Sequence, residues 1–207
     1  MENQFERMIA GELYLAKDPE LSAKFTRCQK LLDEYNRLTY EQKERKAEIR
    51  REVLGASGEH VTLVAPFRCD YGENISIGEN FYANYDCIML DVAPIEIGDN
   101  VLFGPRVGLY TAGHPIDAAV RNTGLEFGNK IKIGDNVWIG GNTVVNPGVT
   151  IGNNVVIGSG SVVTKDIPAD VIALGNPCRV LRPISPEETL AWQERQADYE
   201  KEFNISL

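Results

Sequence analysis

Two histidines are the whole supply of near-neutral bases in this 207-residue chain, so general-base chemistry has few places to sit. His114 stands in Gly113-His114-Pro115, inside an irregular stretch. His60 follows Glu59 and opens an apolar run, which reads as a surface or packing position. A histidine in a loop can accept the proton of a hydroxyl as its oxygen attacks a thioester. Cys28, Cys69, Cys87 and Cys178 contain no C-x-x-C pair, which argues against a zinc ribbon or a disulfide scaffold and for free thiols. Thr164, Lys165, Arg179 and Arg182 gather in a short stretch of an otherwise acidic chain, and arginine suits the geometry of phosphate.

The elements that must position these residues fall into three parts. Residues 1–54 read as a helical segment. Leu21, Phe25, Cys28, Leu32 and Tyr35 share one face of a 3.6-residue period, and Asp18-Pro19 supplies an N-cap and an N1 proline. A weaker helix is expected over residues 2 to about 13. Thr39-Tyr40-Glu41-Gln42 has capping-box spacing, which predicts a third helix running toward Val53.

Residues 55–183 change character. Ile133, Ile139, Val145, Ile151, Ile157 and Val163 recur every six residues, and four of them precede glycine. Val137, Thr143, Val149, Val155 and Ser161 repeat in the same step. Ile77-Gly78-Glu79-Asn80 and Ile97-Gly98-Asp99-Asn100 are earlier copies. A period of six fits neither a helix nor a long strand. Short strands separated by turns, three to a coil of eighteen residues, make a parallel β-helix with a continuous aliphatic core. By the same spacing Cys69 and Cys87 are expected to stack on adjacent coils. Asn80, Asn100 and Asn136 read as turn residues. The repeat breaks at about 110–130, and loops thrown out of a rigid solenoid are favoured places for function. Residues 184–207 form a third part, where Ser185-Pro186-Glu187-Glu188 signals a helix over 186–200 that could cover the open edge of the last coil.

Thirty acidic against twenty-one basic residues give a net charge of −9, a poor match for nucleic acid or anionic membrane. No apolar run is long enough to span a bilayer, and residues 1–7 lack a signal-like stretch, so a cytoplasmic location is expected.

The hexads, the run Phe81-Tyr82-Ala83-Asn84-Tyr85, the segment Thr111-Ala112-Gly113-His114-Pro115, the N-terminal Arg7-Met8-Ile9-Ala10-Gly11-Glu12-Leu13-Tyr14 and the later Gly175-Asn176-Pro177-Cys178-Arg179-Val180 together resemble the maltose and galactoside O-acetyltransferases. The resemblance covers nearly the whole chain. It implies a left-handed parallel β-helix, a homotrimer with active sites between subunits, and acetyl-CoA as the donor substrate. It implies that His114 is the catalytic base and that acetyl passes directly to a sugar hydroxyl. Asn84 and Asp70 occupy positions that resemble acceptor contacts. Asn84 lies outside the phase of the turn asparagines, which favours function, whereas a solvated turn aspartate is the competing reading of Asp70. The same resemblance carries CoA contacts onto Gly141, Ser159, Thr164, Lys165, Arg179 and Arg182; Gly141 and Ser159 are one coil apart and serve equally as turn residues. Galactoside-type relatives tend to be acidic where this chain has Ala16 and Val92, and Leu90-Asp91-Val92-Ala93-Pro94 is closer to the maltose type, so glucose or maltose is the expected acceptor.

Three alternatives stand beside that reading. Another acceptor, such as a galactoside, an oligosaccharide, a xenobiotic or serine, would keep the chemistry. A non-catalytic trimeric scaffold would bind no CoA. A metal-dependent hydratase resembling the γ-class carbonic anhydrases needs several histidines on the metal, so no metal is expected. Trp138, between Val137 and Ile139, must point opposite to an aliphatic neighbour; an interface and a cofactor channel are both open to it.

Overall fold

The computed structural model describes residues 3–207. The hexads do form a three-faced parallel solenoid, with five complete coils and the start of a sixth. Face I stacks Ala56–Ser57, Ile75–Ile77, Ile95–Ile97, Ile131–Ile133 and Thr150–Ile151. Face II stacks Val61–Leu63, Phe81–Ala83, Leu102–Phe103, Trp138–Ile139, Val156–Ile157 and Val171–Leu174. Face III stacks Phe67–Cys69, Cys87–Leu90, Gly108–Tyr110, Val144–Val145 and Val162–Val163.

Alternation across each short strand sends one set of side chains inward. All members of both six-residue series are buried, including Thr143 and Ser161. The inward columns, with Phe67, Phe81, Phe103 and Met89 in the early coils, form one continuous core. At the edge between faces I and II the chain turns through left-handed residues. Asn80, Asn100, Asn136 and Asn154 have φ of +55°, +57°, +56° and +53°. Asparagine tolerates this region and its side chain bonds the next rung: Asn80 Nδ2 donates to Asn100 Oδ1 at 2.9 Å, and Asn100 Nδ2 to Asn136 Oδ1 at 3.2 Å.

Coil length is not uniform. From Ile131 partners are eighteen residues apart, as in Ile133 with Ile151 and Trp138 with Val156, and the last turn takes sixteen, as in Val156 with Ile172. The earlier coils take twenty, as in Val61 with Phe81 and Ile75 with Ile95. Cys87 therefore stacks on Phe67, and Cys69 on Met89, rather than on each other. Cys69 Sγ instead lies 3.6 Å from Cys28 Sγ of the N-terminal segment. All four cysteines are free and buried.

The N-terminal segment closes the first coil. Helix α1 covers Gln4–Ile9, shorter than expected, because Gly11 at φ +77° turns the chain into the strand Tyr14–Leu15; Glu2 lies outside the described residues. Helix α2, Pro19–Arg37, starts at the Asp18 cap, whose carboxylate accepts from the amides of Glu20 and Leu21. Its buried face is Leu21, Cys28, Leu32 and Tyr35; Phe25 is exposed and touches the Tyr71 ring edge-on. Helix α3, Lys43–Val53, begins later than the capping-box spacing predicts. Gln42 Oε1 does reach back to the Thr39 amide at 2.9 Å, but Gln42 N bonds Thr39 O, so the four residues close a turn ahead of the helix.

At the far end the chain reverses. Arg179–Pro183 pairs antiparallel with Val171–Leu174 and is the outermost strand of face II. Helix α5, Pro186–Phe203, has the expected capping box from Ser185 and Glu188 but buries none of its residues. The strand, not the helix, therefore covers the edge of face II. No helix among the described residues is long and apolar enough to cross a membrane.

Candidate active site

The excursion from the solenoid leaves face III at Tyr110 and rejoins face I at Ile131. Thr111 fastens both its ends. This buried threonine donates from its amide and its hydroxyl to Leu90 O at 3.1 and 2.6 Å, accepts from Ala93 N at Oγ1, and accepts from Asn129 N at its carbonyl. The excursion is ordered by strands as well as turns. Ala112–Gly113 pairs antiparallel with Leu125–Gly128, and the latter pairs antiparallel with Tyr14–Leu15. A Cβ on Gly113 would lie 2.8 Å from the Phe127 ring, so a side chain just before the histidine would have to displace that ring. Helix α4, Ala118–Arg121, is capped by Asp117, and Arg121 Nη1 donates back to Pro115 O and Ile116 O.

His114 follows the inner strand directly and is half exposed. Its Nδ1 faces Glu126 Oε1 at 3.9 Å, while Glu126 Oε2 accepts from Tyr14 Oη at 3.0 Å. With Nδ1 turned to a carboxylate, Nε2 is the nitrogen left to meet a substrate hydroxyl.

Two aspartates lie at the same edge of the solenoid, between faces III and I. The Asp70 and Tyr71 amides both donate to Asp91 Oδ1 at 2.9 Å. Gln29 of α2 steadies the turn from below, donating to Cys69 O at 2.8 Å and Asp70 O at 3.3 Å. Asp91 is fully buried and its Oδ2 has no hydrogen-bond partner. Burial pushes its carboxyl up to about 6, against the opposing pull of the backbone donors. Burial likewise pushes Asp70 up to about 7, with the Asp91 and Glu126 charges adding to the shift. Near neutral pH Asp70 can therefore donate a hydrogen bond as well as accept one. Val92 and Ala16 pack with Met8, Tyr14, Leu21 and Tyr71 in a small apolar cluster beneath this edge.

Asn84 sits at a different edge, between faces II and III. Its Oδ1 accepts from the Tyr85 amide at 2.8 Å, and it lacks the positive φ of the turn asparagines. Gly141 and Ser159 share that edge on consecutive coils, tied by Gly160 N donating to Gly141 O at 2.9 Å. A Cβ on Gly141 would come within 3.0 Å of Pro105 O, so the tight turn already accounts for glycine there. Thr164 and Lys165 are exposed and return to the His114 edge, two coils further along the axis. Arg179 donates to Cys178 O at 2.7 Å, and Arg182 is held in a forked ion pair by Glu188, at 2.5 and 2.7 Å. The structure thus brings His114, Asp70, Thr164 and Lys165 to one edge and Asn84, Gly141 and Ser159 to another. Face III, with strands of two to four residues, stands between them.

Tyr14, Asp91 and Glu126 escaped sequence reasoning. Asp91 carried a signal, an acid wedged between Leu90 and Val92 in an apolar run. Glu126 and Tyr14 carried none, because their partnership spans 112 positions of chain. Elsewhere, His60 is exposed beside Glu79, as a surface role requires. Trp138 points outward, flanked in register by Leu102 and Val156.

The model of the maltose acetyltransferase hexapeptide capping motif matches residues 7–58, and that of the six-repeat bacterial transferase hexapeptide matches residues 130–165. Among solved structures, a maltose O-acetyltransferase from Clostridium difficile 630 is 52% identical with a TM-score of 0.88, covering 89% of this chain and 98% of its own. A galactoside acetyltransferase in complex with coenzyme A is 42% identical, also at 0.88, covering 91% and 94%. Nodulation protein L of Rhizobium meliloti (strain 1021) is 46% identical over 86% of this chain and 97% of its own.

Proposed function

This chain belongs to the maltose and galactoside O-acetyltransferase family, and we propose from that premise that it transfers acetyl directly from acetyl-CoA to a hydroxyl of a glucose- or maltose-type sugar. The observation that carries the catalytic assignment is His114 at the foot of an ordered excursion, with Nδ1 turned to Glu126 and Nε2 free to face an acceptor. His114 takes the proton from the sugar hydroxyl as that oxygen bonds the thioester carbonyl carbon. The carbon–sulfur bond breaks, and the proton passes from His114 to the departing sulfur, giving acetylated sugar and CoA. Glu126, 3.9 Å from Nδ1, favours the tautomer that leaves Nε2 basic and closes to a hydrogen bond when substrate is bound. Asp70 supplies a hydrogen bond to the acceptor from the same edge. The apolar Ala16 and Val92 support a glucose or maltose acceptor over a galactoside.

The working unit we propose is a homotrimer with its sites between copies. Two observations support it. The outward residues of face II form an apolar column, Tyr82, Leu102, Trp138, Val156 and Ile172, in register across five strands. On face III the corresponding column is Ile88, Gly108, Val144 and Val162, whereas face I presents Ser76, Glu96, Lys132 and Thr150. In addition, a three-residue strand spans about 10 Å, so the His114 edge and the Asn84 edge of one chain are too far apart to share one hydroxyl. A second copy against the apolar faces gives the missing half of each groove. The donor then lies along that groove, its phosphates met by Lys165, Thr164 and Arg179, with Gly141 and Ser159 beside its arm. Arg182 joins them by releasing Glu188.

The test is thiol release from acetyl-CoA with glucose, maltose, a galactoside, serine and chloramphenicol. Release is expected with glucose or maltose, and its loss in His114→Ala with CoA binding intact. Release with the galactoside alone would overturn the acceptor assignment, and an active His114→Ala enzyme would overturn the base.

A further inference from the structure

We propose that Tyr14, from the N-terminal segment, is a positioning residue for the catalytic base, acting on His114 through Glu126. The inference rests on the assignment of His114 as base and extends the site to a part of the chain outside the solenoid.

The geometry is a line of three groups. Tyr14 Oη donates to one oxygen of the Glu126 carboxylate at 3.0 Å, and the other oxygen faces His114 Nδ1 at 3.9 Å. All three are carried by one small antiparallel sheet. Tyr14 and Glu126 are direct cross-strand partners, and Gly113 is paired with Phe127, which sets His114 beside the same strand. A single carboxylate with two oxygens, one fixed by a buried phenol, has its remaining oxygen aimed.

The phenol is itself well anchored. Tyr14 is 1% exposed and packs against Met8, Leu21, Tyr71 and Val92. Its strand is aimed by three further bonds: Leu15 N donates to Gln4 Oε1 at 2.7 Å, Arg7 Nε donates to Leu13 O at 2.8 Å, and Glu12 N donates to Arg7 O at 3.0 Å. Burial and the Glu126 charge both hold the Tyr14 hydroxyl protonated, well above the ordinary tyrosine value, so it remains a donor across the working range. A buried hydroxyl is costly unless it is bonded, which makes the Tyr14–Glu126 contact directional rather than incidental.

The experiment compares the wild type with Tyr14→Phe, Glu126→Gln and the double variant. Tyr14→Phe keeps the ring and its packing and removes one oxygen. Turnover is expected to fall about tenfold, with the Michaelis constant for acetyl-CoA unchanged. In the Glu126→Gln background, Tyr14→Phe is expected to add nothing. A second readout needs no acceptor: nitrogen-15 spectra of protein carrying His60→Ala report which ring nitrogen of His114 holds the proton. The proton is expected on Nδ1 in the wild type and on a mixture of both nitrogens in Tyr14→Phe. Wild-type turnover and an unchanged tautomer in Tyr14→Phe would overturn the proposal. So would an equal loss of turnover with and without Glu126, which marks a purely structural tyrosine. If the wild type released no thiol with any acceptor, the acetyltransfer assignment would fall, while the tautomer would still decide the role of Tyr14.

Discussion

At the scale of single residues, the site gathers three acids at the edge that carries His114. Asp70, Asp91 and Glu126 all lie at one edge; burial pushes Asp91 up to about 6, and burial with the Asp91 and Glu126 charges pushes Asp70 up to about 7. For an acid, a raised value in the folded chain means that folding keeps protons which the unfolded chain has already released. Stability therefore falls as pH climbs from the ordinary aspartate value, about 4, toward 7. Three pK units correspond to a ceiling of about 4 kcal/mol for Asp70, and partial solvent contact reduces this to about 2 kcal/mol. Asp70→Asn is expected to flatten the loss of stability between about pH 5 and about pH 8, read as urea midpoints at the two values. A slope unchanged from wild type would show that Asp70 is not held protonated. In its proposed role at the acceptor, the fraction of Asp70 that stays protonated near neutral pH can donate to a sugar oxygen without adding repulsion to Glu126.

At the scale of elements, the N-terminal helices are docked by polar side chains as much as by the apolar face of α2. Asn36 acts as a two-pronged clip, donating to Phe67 O and accepting from Phe67 N, both at 2.9 Å, and Tyr35 Oη donates to Leu63 O. These bonds satisfy backbone groups that the first coil, with no coil beneath it, would leave open. Asn36→Ala strands two of them and is expected to cost about 2 kcal/mol, measured as a shift in the denaturant midpoint; a loss below a few tenths would mean that water replaces the clip. Much of this architecture was legible in the sequence, for a physical reason. A stacked backbone ladder repeats its inward positions at fixed intervals, so Ile133, Ile139, Val145 and their successors had to be apolar in step. The Asp18 and Ser185 caps were legible because capping is local. What was hidden was either a small change of pitch, as in the twenty-residue coils that separate Cys69 from Cys87, or a contact between distant segments. No period or local motif links Tyr14 to Glu126, and the N-terminal strand exists only because the excursion offers it an edge.

At the scale of the whole molecule, the contrast between faces supports the proposed trimer. Trp138 is 55% exposed at the middle of the face II column, with Leu102 beside it at 49%. Trp138→Glu points into solvent in a single copy and is expected to leave the coil folded. In a trimer it buries an unpaired charge, at about 3 kcal/mol or more per copy. Sedimentation should then show monomers with native circular dichroism and no acetyltransfer, because in the proposed trimer each groove needs two chains. A Trp138→Glu protein that remained trimeric and active would place the interface on other faces. The regular stacking has one more consequence, concerning length. Neighbouring coils are about 4.8 Å apart, and Thr164–Lys165 lie two coils beyond the one from which the His114 excursion departs. The solenoid is in that sense a ruler with rungs of fixed height. On the proposed path, a donor held by its phosphates at Lys165 presents its thioester to His114 only if its arm matches the number of rungs between them. On that proposal, removing one eighteen-residue coil between them would keep both His114 and Lys165 and still disarm the enzyme, by bringing the sulfur to the wrong rung.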